Sequence, residues 1–256
     1  MTGVSLYHKS RGIRTRTPLT AQGQQFLPHA TALLEQCDKL THLFAGGDKQ
    51  QEVHVVASQY LIAYSLIDIV RRFQKQSPKV RVRLSARTER EIEKTLLTRP
   101  DISLGVAAPY EHSTDLDYLH CFSMDWSVIT PTRHRLAKRA SVKLEDLGQD
   151  SFILYEQGST GRQHVMEAFH KAEYEPQIAM ESTNTDLIVR MVEAGLGLSI
   201  VPLLKSGAVT RGRRVKELKL ETPIRAIESG VLVRKGEPLP EAAQALMEFI
   251  RSELTE

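Results

Sequence analysis

Val53-His54-Val55-Val56-Ala57-Ser58-Gln59-Tyr60-Leu61 is the stretch whose reading decides the fold. A short apolar run, Val53 to Ala57, reads as a buried strand. Ser58 then stands where a helix N-cap belongs. Leu61, Leu66, Ile69 and Phe73 follow at helical spacing, and Pro78 ends the helix. Working outward, Val80 to Leu84 alternates apolar and basic residues as a strand does. Glu89 to Leu97 reads as a helix and Ile102 to Val106 as a strand. Strand, helix, strand, helix, strand predicts a parallel sheet with helices on its faces.

The alternation returns further on. Phe152 to Tyr155, Gln177 to Glu181 and Leu198 to Val201 read as strands, with helices at Arg162 to Ala172 and Leu187 to Ala194 between them. A strand at Gly230 to Arg234 and a helix from Pro240 to Leu254 close the chain, with Pro240 suited to a first helical turn. Two similar α/β units imply two lobes joined by crossing strands, with a cleft between them. In the other direction, Phe26, Leu27, Ala30, Leu33, Leu34, Cys37, Leu40, Leu43 and Phe44 form one apolar helical face after the N-cap candidate Thr20. Pro28 is expected to kink this helix or divide it. Gly46 to Glu52 is a polar hinge.

Composition sets limits. The 256 residues are 41% hydrophobic and 25% charged, as in a soluble globular protein. The net charge of +3 does not by itself argue for nucleic acid, although Lys9, Arg11, Arg14 and Arg16 crowd the start without an acid among them. Two isolated cysteines make neither a disulfide framework nor a zinc site. There is no signal peptide and no apolar run approaching a membrane span of about 20 residues, so a cytoplasmic protein with no membrane partner is expected. No nucleophile elbow, phosphate loop or zinc-protease motif is present. Gly195-Leu196-Gly197 follows a helix and leads into a strand, so it reads as a helix C-cap and turn rather than a dinucleotide fingerprint. No catalytic residue, metal ligand or cofactor is expected.

Three stretches together resemble the LysR-type transcription regulators. Gly3-Val4-Ser5-Leu6-Tyr7 with Ser10-Arg11-Gly12 and Pro18-Leu19-Thr20-Ala21-Gln22-Gly23 is similar to that family's wing and the start of its linker helix. Leu27-Pro28-His29-Ala30 is similar to a pattern within the linker helix. Val192-Glu193-Ala194-Gly195-Leu196-Gly197 through Pro202 is similar to a turn before a strand in its effector domain. Tyr7 stands where Phe is commoner, and Ala21-Gln22 replaces a more usual Pro-Ala pair.

The resemblance implies an α/β, two-lobed, periplasmic-binding-protein-like effector domain, preceded by a wing remnant and a long linker helix. The expected divisions are 1–17 for the wing, 18–47 for the linker and 50–256 for the effector domain. Lobe I takes about 50–125 and 230–256, and lobe II about 126–229. Only a handful of residues precede the wing, so most of the helix-turn-helix is expected to be missing and DNA binding impaired. DNA is a partner if those helices are present. Gly158-Ser159-Thr160-Gly161-Arg162 and Ser58-Gln59 further resemble regulators of sulfur assimilation, which sense small sulfur-related compounds, anions among them. A stand-alone solute-binding protein of the same fold is the alternative function; an enzyme ranks last.

The expected ligand is a small anionic effector, bound outside the carboxyl ends of the parallel strands. Candidate contacts are Ser58, Gln59, Tyr60, Thr88, Thr160, Arg162, Thr183 and Asn184, with Thr185 beside them. Helix N-termini favour anions and hydroxyls add donors; Arg162 suits a bidentate pair with a carboxylate or sulfate. Taken singly, Ser58 and Thr183 are explained by capping and Arg162 by a solvated helix charge; convergence is the case for a ligand. Lys9, Arg11, Arg14 and Arg16 are either DNA-backbone contacts or part of a frayed terminus. Phe26, Leu27, Leu33, Leu34 and Leu40 are expected to form a homodimer or homotetramer contact, with packing on the chain's own effector domain as the alternative.

Overall fold

The computed structural model describes residues 4–7, 19–43, 51–204 and 207–254. The chain forms two compact units, Met1–Lys49 and Gln50–Glu256.

In the first unit, Tyr7 and Leu19 pair as an antiparallel bridge. Thr20 starts helix α1 (Ala21–Leu43). Its hydroxyl donates to the Ser5 carbonyl at 2.8 Å and accepts from the Gly23 N–H at 3.0 Å, the bond expected of an N-cap. Gly23 is required here: a Cβ would stand 1.9 Å from the Leu6 carbonyl oxygen. The helix runs through Pro28 without division, contrary to one of the two expectations for that residue. Phe26, Leu27, Leu33 and Leu34 are exposed. The side chain of Leu40, together with Lys9, Arg11, Arg14, Arg16 and most of the polar hinge, lies outside the described residues.

The second unit holds two mixed sheets. The first is ordered β2 (Val80–Ala86), β1 (Gln51–Ala57), β3 (Leu104–Ala107), β11 (Ile227–Arg234), β4 (Leu116–Met124). β1 runs parallel to β2 and β3, whereas β11 is antiparallel to both β3 and β4. The three strands read from the alternation are parallel as expected, but the sheet is not wholly parallel: β11, expected in the same lobe, joins it antiparallel and begins three residues earlier than expected, and β4 has no counterpart among the expected strands.

Alternation along β1 explains the layers. Val53, Val55 and Ala57 face α3 (Ile67–Gln76) and α7 (Glu241–Leu254), meeting Ile69, Phe73, Leu246 and Ile250. Val56 faces α4 (Glu89–Thr98), meeting Ile92 and Leu96. With both faces covered, the strand is nearly all apolar. α2 (Gln59–Leu61), one π-helical stretch (Ile62–Leu66) and α3 run on as a single helix, which stops at Ser77 before Pro78. Pro240 precedes α7, and its carbonyl accepts the Gln244 N–H at 2.9 Å.

The second sheet is ordered β6 (Ser141–Val142), β10 (Val215–Leu220), β5 (Trp126–Pro131), β9 (Ser199–Pro202). The parallel pair β7 (Ser151–Tyr155) and β8 (Gln177–Ser182) continues it through a bridge between Phe152 and Leu198. Phe152 and Leu154 face α5 (Thr160–Lys171); Ile153 and Tyr155 face α6 (Thr185–Glu193). α6 ends as its sequence suggests. Gly195 has φ +83°, its N–H bonds the Val192 carbonyl, and the Leu196 N–H bonds the Met191 carbonyl. That pair of bonds is a Schellman C-cap. Gly197 admits no side chain, because a Cβ would lie 2.6 Å from the Ser151 carbonyl oxygen.

The chain crosses between the sheets from β4 to β5 and again from β10 to β11. One carbonyl ties the crossings together. Arg225 O accepts from Trp126 Nε1 at 2.8 Å and lies 2.9 Å from His164 Nδ1. A carbonyl only accepts, so His164 carries its proton on Nδ1. Burial lowers the His164 pKa, which favours this neutral form.

Candidate functional site

Between the lobes lies a cleft of about 450 Å³, within the usual range for small-ligand sites. Its rim is four strand-to-helix turns. β1 delivers Ser58, Gln59 and Tyr60; β2 delivers Arg87 to Glu91; β7 delivers Glu156 to Gly161; β8 delivers Thr183, Asn184 and Thr185. Ala108, Met124, Pro202, Ile227 and Ser229 from the β3, β4, β9 and β11 regions add a largely apolar floor. Four helix starts thus border one cavity. The first three N–H groups of a helix have no partner within it and carry the positive end of the dipole.

Seven of the eight expected contacts line this cleft: Ser58, Gln59, Tyr60, Thr88, Thr160, Thr183 and Asn184. Arg162 does not. Its side chain turns under β7, donating to the Tyr155 carbonyl at 3.0 Å and the Glu181 carboxylate at 2.8 Å. A largely buried guanidinium needs such partners, and these take it away from the cavity.

Capping is distributed differently from what the residue types suggest. The Ser58 side chain makes no capping bond. Thr183 is exposed, and the N-cap of α6 is Asn184, whose amide oxygen accepts the Asp186 and Leu187 N–H groups at 2.8 and 3.3 Å. Ser159 caps α5 by accepting the Arg162 N–H. Thr88 directs its hydroxyl to Glu91 Oε2 at 2.9 Å, and its N–H bonds the same oxygen at 3.1 Å. Its proton is therefore engaged, and Thr88 and Glu91 form a capping box at the start of α4. Tyr60 accepts the Leu204 N–H at 3.0 Å, and burial pushes its phenol up to about 12.

Other cleft residues were not among the expected contacts. Tyr155 shares a buried 2.9 Å hydrogen bond with Thr185; the carboxyl-end rule identifies it, as the last residue of β7. Arg87 and Arg90 bring positive charge, and Glu89, Glu91 and Glu156 bring negative. Desolvation raises the Glu89 carboxyl to about 7. The Arg90 guanidinium lies over Gly158, where a Cβ would stand 2.1 Å from its Cζ. The turn after β7 thereby meets α4 across the cleft mouth, and Gly158 with φ +85° permits it.

Two α/β lobes, two crossings and a cleft ringed by helix starts define a small-molecule-binding domain. Residues 46–255 match the LysR substrate binding domain, and the chain belongs to the LysR family of transcription regulators. It is 27% identical over 257 aligned residues to the transcriptional regulator SsuR of Burkholderia cenocepacia, covering 99% of this chain and 82% of SsuR. CysB of the same organism is 28% identical over 203 residues, covering 78% of this chain and 64% of CysB. Among solved structures, the effector-binding domain of QuiR in complex with shikimate matches with a TM-score of 0.73 at 20% identity, over 80% of this chain and 98% of that one. The chain is thus the effector-binding part of a LysR-type regulator. Its relatives are regulators rather than enzymes, and a stand-alone solute-binding protein is not favoured.

Proposed function

We propose that the chain senses a small anionic metabolite in the cleft and couples its occupancy to DNA binding. The observation that carries this reading is the convergence of four helix starts on one cavity, with Ser58 free of a capping role. Such an arrangement favours a carboxylate, sulfate or phosphate group. Shikimate, the ligand in the QuiR structure, is a carboxylate. Ser58, Gln59, Thr160, Thr183 and the Asn184 amide nitrogen are the proposed contacts, Thr88 borders them with its hydroxyl held by Glu91, Tyr60 shapes the wall, and Arg162 positions the β7 turn. The likeness to sulfur-assimilation regulators puts sulfur-containing anions first in the panel.

Coupling is a population shift: the effector favours one lobe arrangement and must bind it better than the other. Residues 18–47, with the exposed Phe26, Leu27, Leu33 and Leu34, are the proposed dimerisation segment carrying that change toward DNA. Lys9, Arg11, Arg14 and Arg16 are proposed phosphate contacts. Among the described residues no helix is long and apolar enough to cross a membrane; action in the cytoplasm, by binding rather than covalent chemistry, is part of the proposal.

Thermal denaturation against sulfate, thiosulfate, O-acetylserine and aromatic acids tests the proposal. A ligand bound only by the folded chain adds about 2.7 kcal/mol at a hundredfold excess over Kd. A selective rise is expected for at least one anion; an unchanged melting temperature across the panel removes the anion site.

A further inference from the structure

Ser229 is fully buried, and its hydroxyl has no hydrogen-bond partner among the described residues. It nevertheless lines the cleft, two residues after Ile227 on β11. The two-residue period of a strand puts both on one face, so the unpartnered hydroxyl lies beside the Ile227 side chain, buried at the floor of the cleft. A register shift follows immediately, between Ser229 and Gly230. Such bulges re-aim side chains next to binding sites. The backbone has no slack there, because a Cβ on Gly230 would lie 2.3 Å from the Leu119 carbonyl oxygen. Strand packing therefore holds the hydroxyl in place, and it gains nothing from the fold: an unmade buried hydrogen bond carries its desolvation cost uncompensated.

Resting on the reading of the cleft as an anion site, we propose that Ser229 is a specificity-determining contact for a second polar group of the ligand. The ligand class is then a bifunctional small acid. Its anionic group lies at the helix starts, its apolar body covers Ala108, Met124 and Ile227, and a hydroxyl or carbonyl oxygen meets Ser229. A site built to hydrogen-bond a substrate group discriminates strongly against analogues lacking it, because its own polar atom is then stranded.

Titration calorimetry on the full chain with two matched sets, benzoate against 3-hydroxybenzoate and butanoate against 3-hydroxybutanoate and acetoacetate, tests this. In at least one set the oxygen-bearing acid is expected to bind about tenfold or more tightly than its parent, since a hydrogen bond worth about 1.4 kcal/mol is a factor of ten. Ser229→Ala should bring that ratio close to one and leave the parent acid's affinity unchanged. Without ligand, Ser229→Ala should melt at the same temperature or higher, because it removes an unsatisfied group. A ratio that survives in Ser229→Ala, the absence of any preference in the wild type, or a lowered melting temperature overturns the proposal and leaves the anion site standing. Failure of every one of these acids to bind overturns the proposal; the anion site falls with it only if sulfate, thiosulfate and O-acetylserine also leave the melting temperature unchanged.

Discussion

Ser159, Asn184 and Thr185, on the second lobe's wall of the cleft, spend polar atoms on their own lobe: two cap helices and one bonds Tyr155. On the first lobe's wall, Ser58 occupies the matching place before a helix and makes no such bond. The walls share one recipe, a strand followed by a polar turn and a helix, yet Ser58 is uncommitted where Ser159 and Asn184 are engaged. Residue type at a helix start does not separate a cap from a ligand group; the presence or absence of the capping bond does. The second wall is pre-organised, whereas the first keeps Ser58 open to the ligand.

The largest effect that would break this comparison is at Ser58. Hydrogen bonds to charged groups contribute about 1.5–3 kcal/mol. Ser58→Ala is therefore expected to weaken anion binding at least about tenfold, with stability nearly unchanged. Calorimetry against the best anion from the panel, paired with thermal denaturation, reads both quantities. Unchanged affinity with lowered stability would make Ser58 a structural residue after all and remove the asymmetry.

The next effect sharpens the comparison through charge. Glu89 sits half-buried on the first wall, and desolvation lifts its carboxyl from 4.5 to about 7. At pH below 4.5 it is protonated in both folded and unfolded chains. Between about 4.5 and 7 the unfolded chain ionises while the folded one does not, so stability falls as pH rises; above 7 the penalty is complete. Partial solvent access limits that penalty to about 1–2 kcal/mol. Wild type is thus expected to lose stability relative to Glu89→Gln as pH is raised from 4.5 to 8, in urea denaturation at several pH values. Anion affinity should fall over the upper part of the same range, because the ionised carboxylate repels the ligand, and Glu89→Gln should flatten that dependence. Parallel pH profiles for the two proteins would remove Glu89 from the cleft's electrostatics.

The sequence made these turns legible because parallel βα units announce themselves. Val53 to Ala57 is a solid apolar run, Ser58 and Thr88 mark boundaries, and Pro78 and Gly195 mark ends. The antiparallel parts leave weaker traces. β4 and β10 mix apolar with charged residues along Leu116–Met124 and Val215–Leu220, with part of each strand open to solvent. They complete the two sheets, and no periodicity singles them out. Ser229 was invisible for the same reason: it comes from a crossing strand, not from a turn. Arg162 failed differently. Its place in the first turn of α5 was right, but local spacing does not tell that its guanidinium folds back to Tyr155 and Glu181. Pro28 shows a further limit, since a proline that usually interrupts a helix lies within the continuous α1.

The smallest effect belongs to the second wall and tests whether it is pre-organised. Asn184 satisfies two backbone N–H groups at the start of α6, and the Ser182 hydroxyl in turn accepts the Asn184 N–H at 3.0 Å. Replacing a capping Asn by Ala costs about 1 kcal/mol. Asn184→Ala should therefore lower stability by that amount. Its effect on anion affinity should be smaller than that of Ser58→Ala, because the amide oxygen already faces the helix and only the amide nitrogen is left for a ligand. An accepting oxygen bound to two N–H groups has nothing to offer an anion, which it would repel. If Asn184→Ala weakened binding as much as Ser58→Ala while leaving stability intact, the cap would be dispensable and both walls would be ligand walls. The expected pattern of a stability loss at Asn184 and a binding loss at Ser58 instead assigns these two helix starts different work: Asn184 holds the shape of its wall, and Ser58 meets the ligand.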